Sequence, residues 1–251
     1  TRVSTLLTAA AVVLPEAVVE NGAVLVEDGQ IAAVCPETAN ADEVLDLGRA
    51  TLMPGMIDLH CDALEQDIEP RPGVQYPLAF GLRQADRRNA VAGITTAYHA
   101  ISFANEELGV RTPHMAAEIV RSIVAERAHL LIDSRVHCRY ETTDQESPAV
   151  IGSLMEEGIV DLISYMDHTP GQGQFKSFDA YRRYQQEVYG QSAEQSHRLV
   201  EQKMQAAETA GGRIRALSER ALAHMIPLAS HDDDSAEKVG GMADAGVKIS
   251  E

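Results

Sequence analysis

Four short stretches of this sequence each end in side chains that could hold a cation. LMPGMIDLHCDALE carries His60 and Asp62 two residues apart, and RVHCRYE carries His137, Arg139 and Glu141 at alternate positions. SYMDHTPG ends in Asp167-His168, and LASHDDD ends in His231 followed by Asp232, Asp233 and Asp234. Imidazole nitrogen and carboxylate oxygen are the ligands that a borderline cation such as zinc takes, at about 2 Å. One polar strand end is unremarkable. Four that deliver the same residue types at the same end point to a metal site.

The elements that would position these residues are legible in the hydrophobic pattern. Strands are expected at GMIDLH, GITTAYHAI, LLIDSRVHCRYE, VDLISYMDH, IPLASHD and GVKIS, with helical stretches between them. A period of two in the first strand places Met56, Asp58, His60 and Asp62 on one face and Ile57, Leu59 and Cys61 on the other. In HMAAEIVRSIVAERAHL, Ala116, Ile119, Val120, Ile123 and Val124 recur at helical spacing and form one buried face. Residues 177–224 read as a polar, largely helical insert broken at Gly190 and at Gly211-Gly212. Residues 1–50 read instead as short strands, with GAVLVEDGQIAAV a hairpin turning at Asp28-Gly29.

Strand–helix alternation means a parallel sheet, either open or closed into a barrel. No GxGxxG or GxxxxGK[ST] follows a strand, so the usual nucleotide-binding open sheets are set aside. The expectation is a TIM-like (β/α)8 barrel in residues 51–251, preceded by a small β-rich segment in residues 1–50. Only six barrel strands are counted where eight close a barrel. With no initiator methionine before Thr1, the chain reads as a barrel protein cut short on its C-terminal side.

Composition excludes several functions. A net charge of -17 is unsuited to nucleic acid or an anionic membrane, and no apolar run is long enough to span a bilayer. The opening TRVSTLLTAAAVVLPEAVV has the texture of a signal peptide, but Pro15 and Glu16 interrupt it. Cys35, Cys61 and Cys138 are odd in number and far apart, which argues against a disulfide framework and for a cytoplasmic protein. The sequence leaves the oligomeric state open, a homo-oligomer included. His114, His129, His197 and His224 fall in or beside helices and read as surface or cap residues; His99 ends the second strand and is a weaker candidate for the site.

The β-rich start, PGMIDLHCD on the first barrel strand and single histidines on later strands resemble the amidohydrolase superfamily of metal-dependent hydrolases. Within it, HCRYE, SYMDHTPGQGQF, LASHDD and the RPGVQYP segment are similar to the α-D-ribose 1-methylphosphonate 5-triphosphate diphosphatases of the carbon–phosphorus lyase pathway. The resemblance implies a binuclear centre, of zinc or else iron or manganese. His60 and Asp62 would hold one ion, His168 and His231 the second, and Glu141 would bridge them. Glu141, His168 and His231 would then be catalytic, and a hydroxide between the ions would attack phosphorus and release pyrophosphate. In that family an aspartate on the eighth strand manages the proton of the attacking water; it has no counterpart here. Ala63 replaces an expected asparagine, and His99 stands where an acidic residue is typical.

The implied substrate is a strongly anionic phosphorylated small molecule, so local cations must reverse the field of an acidic chain. Arg71, Arg139 and Lys176 are the candidates for substrate contact, with Arg182 and Arg183 beyond them. Two alternatives stand beside this reading: hydrolysis of a cyclic amide or deamination of a heterocycle on the same barrel, and a non-catalytic scaffold that has lost its metals.

Overall fold

A parallel ladder whose strands follow one another in chain order organises most of this protein. The computed structural model describes residues 3–36, 39–71, 73–104, 109–171 and 175–250. Pro72 of RPGVQYP and Gln172, Gly173 and Gln174 of the MDHTPGQGQF motif lie outside them. The chain divides into two compact units, Thr1–Gly55 and Met56–Glu251.

The first unit holds β1 (Ser4–Thr8), β2 (Ala11–Val13), β3 (Val18–Glu20), β4 (Ala23–Glu27), β5 (Gln30–Val34), β6 (Glu43–Asp46) and β7 (Thr51–Leu52). They form a four-stranded and a three-stranded sheet. The expected hairpin is β4–β5. Asp28 and Gly29 both take positive φ (50° and 77°), the geometry whose twist matches that of the paired strands. The stretch with signal-peptide texture is built into β1, β2 and β3, where Val12 packs with Ala9 and Val24. Pairing of β7 with β2 carries this unit past residue 50.

Among its described residues the second unit contains six parallel strands: β8 (Met56–Cys61), β9 (Ile94–Phe103), β10 (Asp133–Glu141), β11 (Leu162–Met166), β12 (Leu228–Ser230) and β13 (Ile249–Ser250). All six lie within the expected stretches or extend them by at most two residues. The strand order never reverses, as it must in a doubly wound sheet, so the progression is that of a barrel wall. Ile101, Phe103, Val136, Cys138, Tyr140, Ile163 and Tyr165 are buried in one core with α2 (Leu78–Val91), α3 (Pro113–Glu126), α4 (Ser147–Glu156) and α7 (Ala210–Ala223). The alternate residues include Ser102, His137, Arg139, Glu141 and Ser164. The sheet thus has one apolar face under helices and one polar face.

Local sequence explains the helix ends. Thr112 accepts the Met115 N–H and Pro113 fills the first turn of α3, where a missing N–H costs nothing. The polar insert is α5 (Phe178–Tyr189), α6 (Ala193–Ala207) and α7. Gly190 ends α5 in the left-handed conformation, as expected. The second break is displaced: it falls at Glu208-Thr209, and Gly211 and Gly212 lie in the first turns of α7. The aspartates after His231 do not cap α8 (Ala236–Asp244); Ser235 does, accepting the Lys238 N–H.

His99 belongs to this scaffold rather than to the site. It lies in register with Val136 and Cys61 on the helix-covered face, fully buried, with Nε2 at 3.2 Å from the Ser134 hydroxyl. Burial holds its imidazole down to about 4 against partial compensation by Asp86, Asp58 and Asp67. The unfolded chain therefore binds a proton that the folded chain refuses as pH falls from about 6.5 to about 4. The stabilisation is complete above the unfolded pKa and is lost on acidification, by on the order of 3 kcal/mol in all. By NMR, the His99 ring protons are expected not to titrate between pH 8 and pH 5. Urea midpoints should fall over the same range, and less steeply in His99→Asn. A ring titrating near its free value contradicts this assignment.

Candidate functional site

The polar face gathers its side chains at the carboxyl ends of the strands. Along β10 the alternation expected from RVHCRYE holds: Ala100, His137 and Leu162 are in register, then Ser102, Arg139 and Ser164. Ala100 beside His137, and Ser102 and Ser164 on either side of Arg139, leave room for the large polar side chains. His137 Nδ1 lies 2.9 Å from the Leu59 carbonyl oxygen and Nε2 2.7 Å from the Ser164 hydroxyl. A carbonyl can only accept, so Nδ1 carries the proton and Nε2 accepts from Ser164. Burial, with the neighbouring His60 and Arg139, pushes this imidazole down to about 3.

On β8 the expected period of two breaks. Asp58 is opposite Ala97 and Cys61 opposite His99, so three residues on β8 match two on β9. The cause is local: Asp58 Oδ1 accepts the His60 N–H at 3.0 Å, drawing the backbone into a bulge. Asp58 therefore does not share a face with His60, and Ile57 (65% exposed) and Leu59 (40%) are not packed under helices as the alternation implied. The His60 ring stands edge-on to His137 and His231, with centroids 5.3 and 5.2 Å away. Arg139 Nη1 approaches His60 Nε2 at 3.4 Å.

Glu141 is 1% exposed at the end of β10. Its Oε1 accepts the Thr143 hydroxyl at 2.7 Å and lies 3.8 Å from the Lys203 ammonium; its Oε2 lies 3.0 Å from His168 Nδ1. Burial would raise this carboxyl, but Lys203, His168 and Thr143 outweigh it and hold it at about 2. His231 extends the ladder by donating its N–H to the Tyr165 carbonyl. Its ring is pushed down to about 4 by burial and by the facing His60 and Arg139. Asp232, at φ 61°, places Oδ2 3.8 Å from His231 Nδ1 and 3.9 Å from His168 Nε2.

Of the residues singled out from the sequence, His60, Arg139, Glu141, His168 and His231 thus form one connected cluster. Asp62 does not join it: it is exposed beyond the end of β8 and makes no hydrogen bond or ion pair with a described residue. Arg71 is exposed in a turn bridged to Val74, and Lys176 is exposed before α5; neither pairs with the described residues of the cluster. Arg182 pairs with Asp179 on its own helix.

Four residues outside the ligand and substrate-contact set implied by the resemblance matter here. His137 stands edge-on to His60, and Asp232 lies within 4 Å of the His231 and His168 rings. Glu65, on α1 (Leu64–Ile68), accepts from Arg111 Nε and the Ser102 N–H, both at 2.7 Å, and lies 4.0 Å from Arg139. Lys203 is buried on α6. Its helix carried a signal: Leu199, Val200, Lys203 and Ala206 share the buried stripe, so a lysine occupies an apolar position.

The donor types suit a divalent cation, and two buried atoms point the same way. His231 Nε2 has no partner among the described residues, and Glu141 Oε2 meets His168 without the alignment of a hydrogen bond. Even so, no three His, Cys, Asp or Glu side chains among the described residues are grouped closely enough to hold one ion. Glu141, His168 and His231 carry the donor types a cation takes, two of them with an unsatisfied buried atom, but stand further apart than a single ion would hold them. The first strand presents His60 alone.

The fold is a TIM-like barrel wall of six parallel strands among the described residues, with a small N-terminal β unit, and it is shared by solved structures of a deacetylase and a hydantoinase. N-acetyl-D-glucosamine-6-phosphate deacetylase from Mycobacterium smegmatis superposes with a TM-score of 0.60 at 16% identity, covering 98% of this chain and 55% of that one. An adenosine deaminase from Xanthomonas campestris with bound zinc gives 0.52 at 14%, covering 98% and 62%. At such identities the likeness is one of fold. In sequence, the chain is 28% identical over 236 residues to alpha-D-ribose 1-methylphosphonate 5-triphosphate diphosphatase of Escherichia coli (strain K12). That match covers 93% of this chain and 62% of the relative, so the chain spans about three fifths of that protein's length. No family model matches the chain. No helix among the described residues is long and apolar enough to cross a membrane.

Glu65 offers a test of how the cluster is braced. Its side chain is 4% exposed and that of Arg111 34%, so removing the carboxylate strands Arg139 and the Ser102 N–H inside the protein. Glu65→Ala is expected to cost about 3–5 kcal/mol in urea unfolding, and Arg111→Ala clearly less because solvent screens that end of the pair. Equal losses would contradict this arrangement.

Proposed function

We propose that this chain carries the metal-binding site of a hydrolase that cleaves a phosphoric anhydride, the triphosphate of α-D-ribose 1-methylphosphonate 5-triphosphate, with release of pyrophosphate. The observation that carries the reading is the convergence of His60, Glu141, His168 and His231 from β8, β10, β11 and β12 onto one end of the parallel sheet. The substrate class is supported by the motifs shared with the diphosphatases and by the relative at 28% identity.

Glu141, His168 and His231 would hold one divalent ion and share Glu141 with a second held by His60; Asp62, exposed beyond the strand end, would have to turn inward to join them. Zinc is the cation the donor types suit best; iron or manganese are the alternatives. When bound, such ions supply a hydroxide near neutral pH and neutralise charge on phosphoryl oxygens. The protein's own residues set the rest. Glu141 is kept ionised, and its carboxylate orients His168 through Nδ1. Burial keeps His231 neutral, so a nitrogen lone pair is available at physiological pH. Arg139, 8% exposed beside His60, is the cation best placed to grip an anionic group, and Glu65 braces its far side.

Elemental analysis after dialysis tests the site. Uptake of about two zinc, iron or manganese ions per chain is expected. His168→Ala should lose that uptake while keeping its circular dichroism and unfolding cooperatively, and a metal-replete His168→Ala protein would sink the assignment. Turnover is read by phosphorus NMR, where pyrophosphate is the expected product of the triphosphate ester. Ring opening of a hydantoin without attack on the triphosphate would favour the cyclic-amide alternative.

A further inference from the structure

The insert helix α6 reaches the centre of the site through one side chain. Lys203 is 7% exposed, with Nζ 3.8 Å from Glu141 Oε1 and 3.4 Å from Thr143 Oγ1. It lines a cavity of about 290 Å³ together with Glu141, Thr143, Asp144, Glu146 and Gln202. A lysine buried this deeply needs a counter-charge, and so does Glu141. The two satisfy one another across elements far apart in sequence.

We infer that Lys203 is an internal counter-ion for Glu141 that competes with a divalent cation for the same carboxylate. It acts through Glu141, so it is a positioning residue. It stabilises the metal-free fold by matching a buried charge, and it weakens cation binding both by occupying Oε1 and by repelling a second positive charge nearby. Loading would then draw Glu141 away from α6, coupling the insert to occupancy of the site. The inference rests on the metal-site reading proposed above.

The test compares zinc affinity, by competition with a chromogenic chelator, and the melting temperature of metal-free protein. Lys203→Met removes the charge. Lys203→Gln removes the charge but keeps a donor for Glu141, and so preserves a folded protein if the first variant does not accumulate. Both are expected to bind zinc about tenfold or more tightly than the wild type. Lys203→Met should also melt lower without metal and gain more on zinc addition, and Lys203→Arg should restore wild-type affinity. Unchanged or weaker zinc binding in Lys203→Gln beside a zinc-binding wild type overturns the competition and leaves the metal site standing. A wild type that takes up no zinc defeats the metal reading itself, and the competition with it.

Discussion

Burial of one carboxylate governs how this end of the protein is built. Glu141 lies where β10 ends, 1% exposed, and an ionised group there is costly unless charge and hydrogen bonds meet it. The answer comes from three directions. Thr143 turns back from the next loop, His168 descends from β11, and Lys203 enters from a helix of the insert. The same loop is clasped by Arg213 of α7, which donates to the Thr142 carbonyl at 2.9 Å and to the Tyr140 hydroxyl at 3.2 Å. The Tyr140 hydroxyl in turn donates to the Asp144 carbonyl at 2.7 Å. Two helices of a polar insert thus supply cations to one turn of chain, Lys203 buried and Arg213 half-buried, which gives the insert a structural reason to be there.

The strands tolerate this because their two faces are chemically separate. One buries branched and aromatic residues under helices; the other sets large polar side chains beside Ala100, Ser102, Ser164 and Ala229. His137 bridges the backbone of β8 and the side chain of Ser164 on β11, and so ties strands on either side of its own. His60 is held against its edge. The imidazoles are positioned by one another and by backbone, and the rings of His137 and His231 are kept neutral by burial and by the neighbouring His60 and Arg139.

Much of this was legible in the sequence for identifiable reasons. All six barrel strands show period-two or continuous apolar runs bounded by Pro, Gly or Asp, and the strand ends carry their polar residues in plain view. What escaped did so through local hydrogen bonds and long-range placement. The bulge in β8 arises because Asp58 captures the His60 N–H, and an alternation pattern cannot report a competing side-chain acceptor. Asp232 reads in the sequence as one of three aspartates in a row, and nothing there tells which of them faces two histidines while Ser235 caps the next helix. Lys203 was visible as a lysine on an apolar stripe, but its partner lies on a distant strand that no periodicity names. The insert's second break moved because Gly211 and Gly212 fit the first turns of a helix without strain, whereas Gly190 is held at positive φ.

Net charge is a poor guide to the field at such a site. The chain carries -17 overall, yet the groups that face inward around the cluster include Arg139, Lys203 and Arg213, with Arg111 behind Glu65. Surface carboxylates a Debye length away are screened by salt, while buried cations act through a medium of low dielectric constant and are screened far less. The interior can therefore be locally favourable to an anion within an acidic protein. The cost of holding so many cations inside explains why each is matched: Arg139 and Arg111 share Glu65, Lys203 takes Glu141, and Arg213 takes carbonyl and hydroxyl oxygens. A ligand that brought negative charge would relieve part of that matching, and a cation would contest it. The same network that lets Glu141 stay ionised inside the barrel thus makes its surroundings sensitive to what binds there.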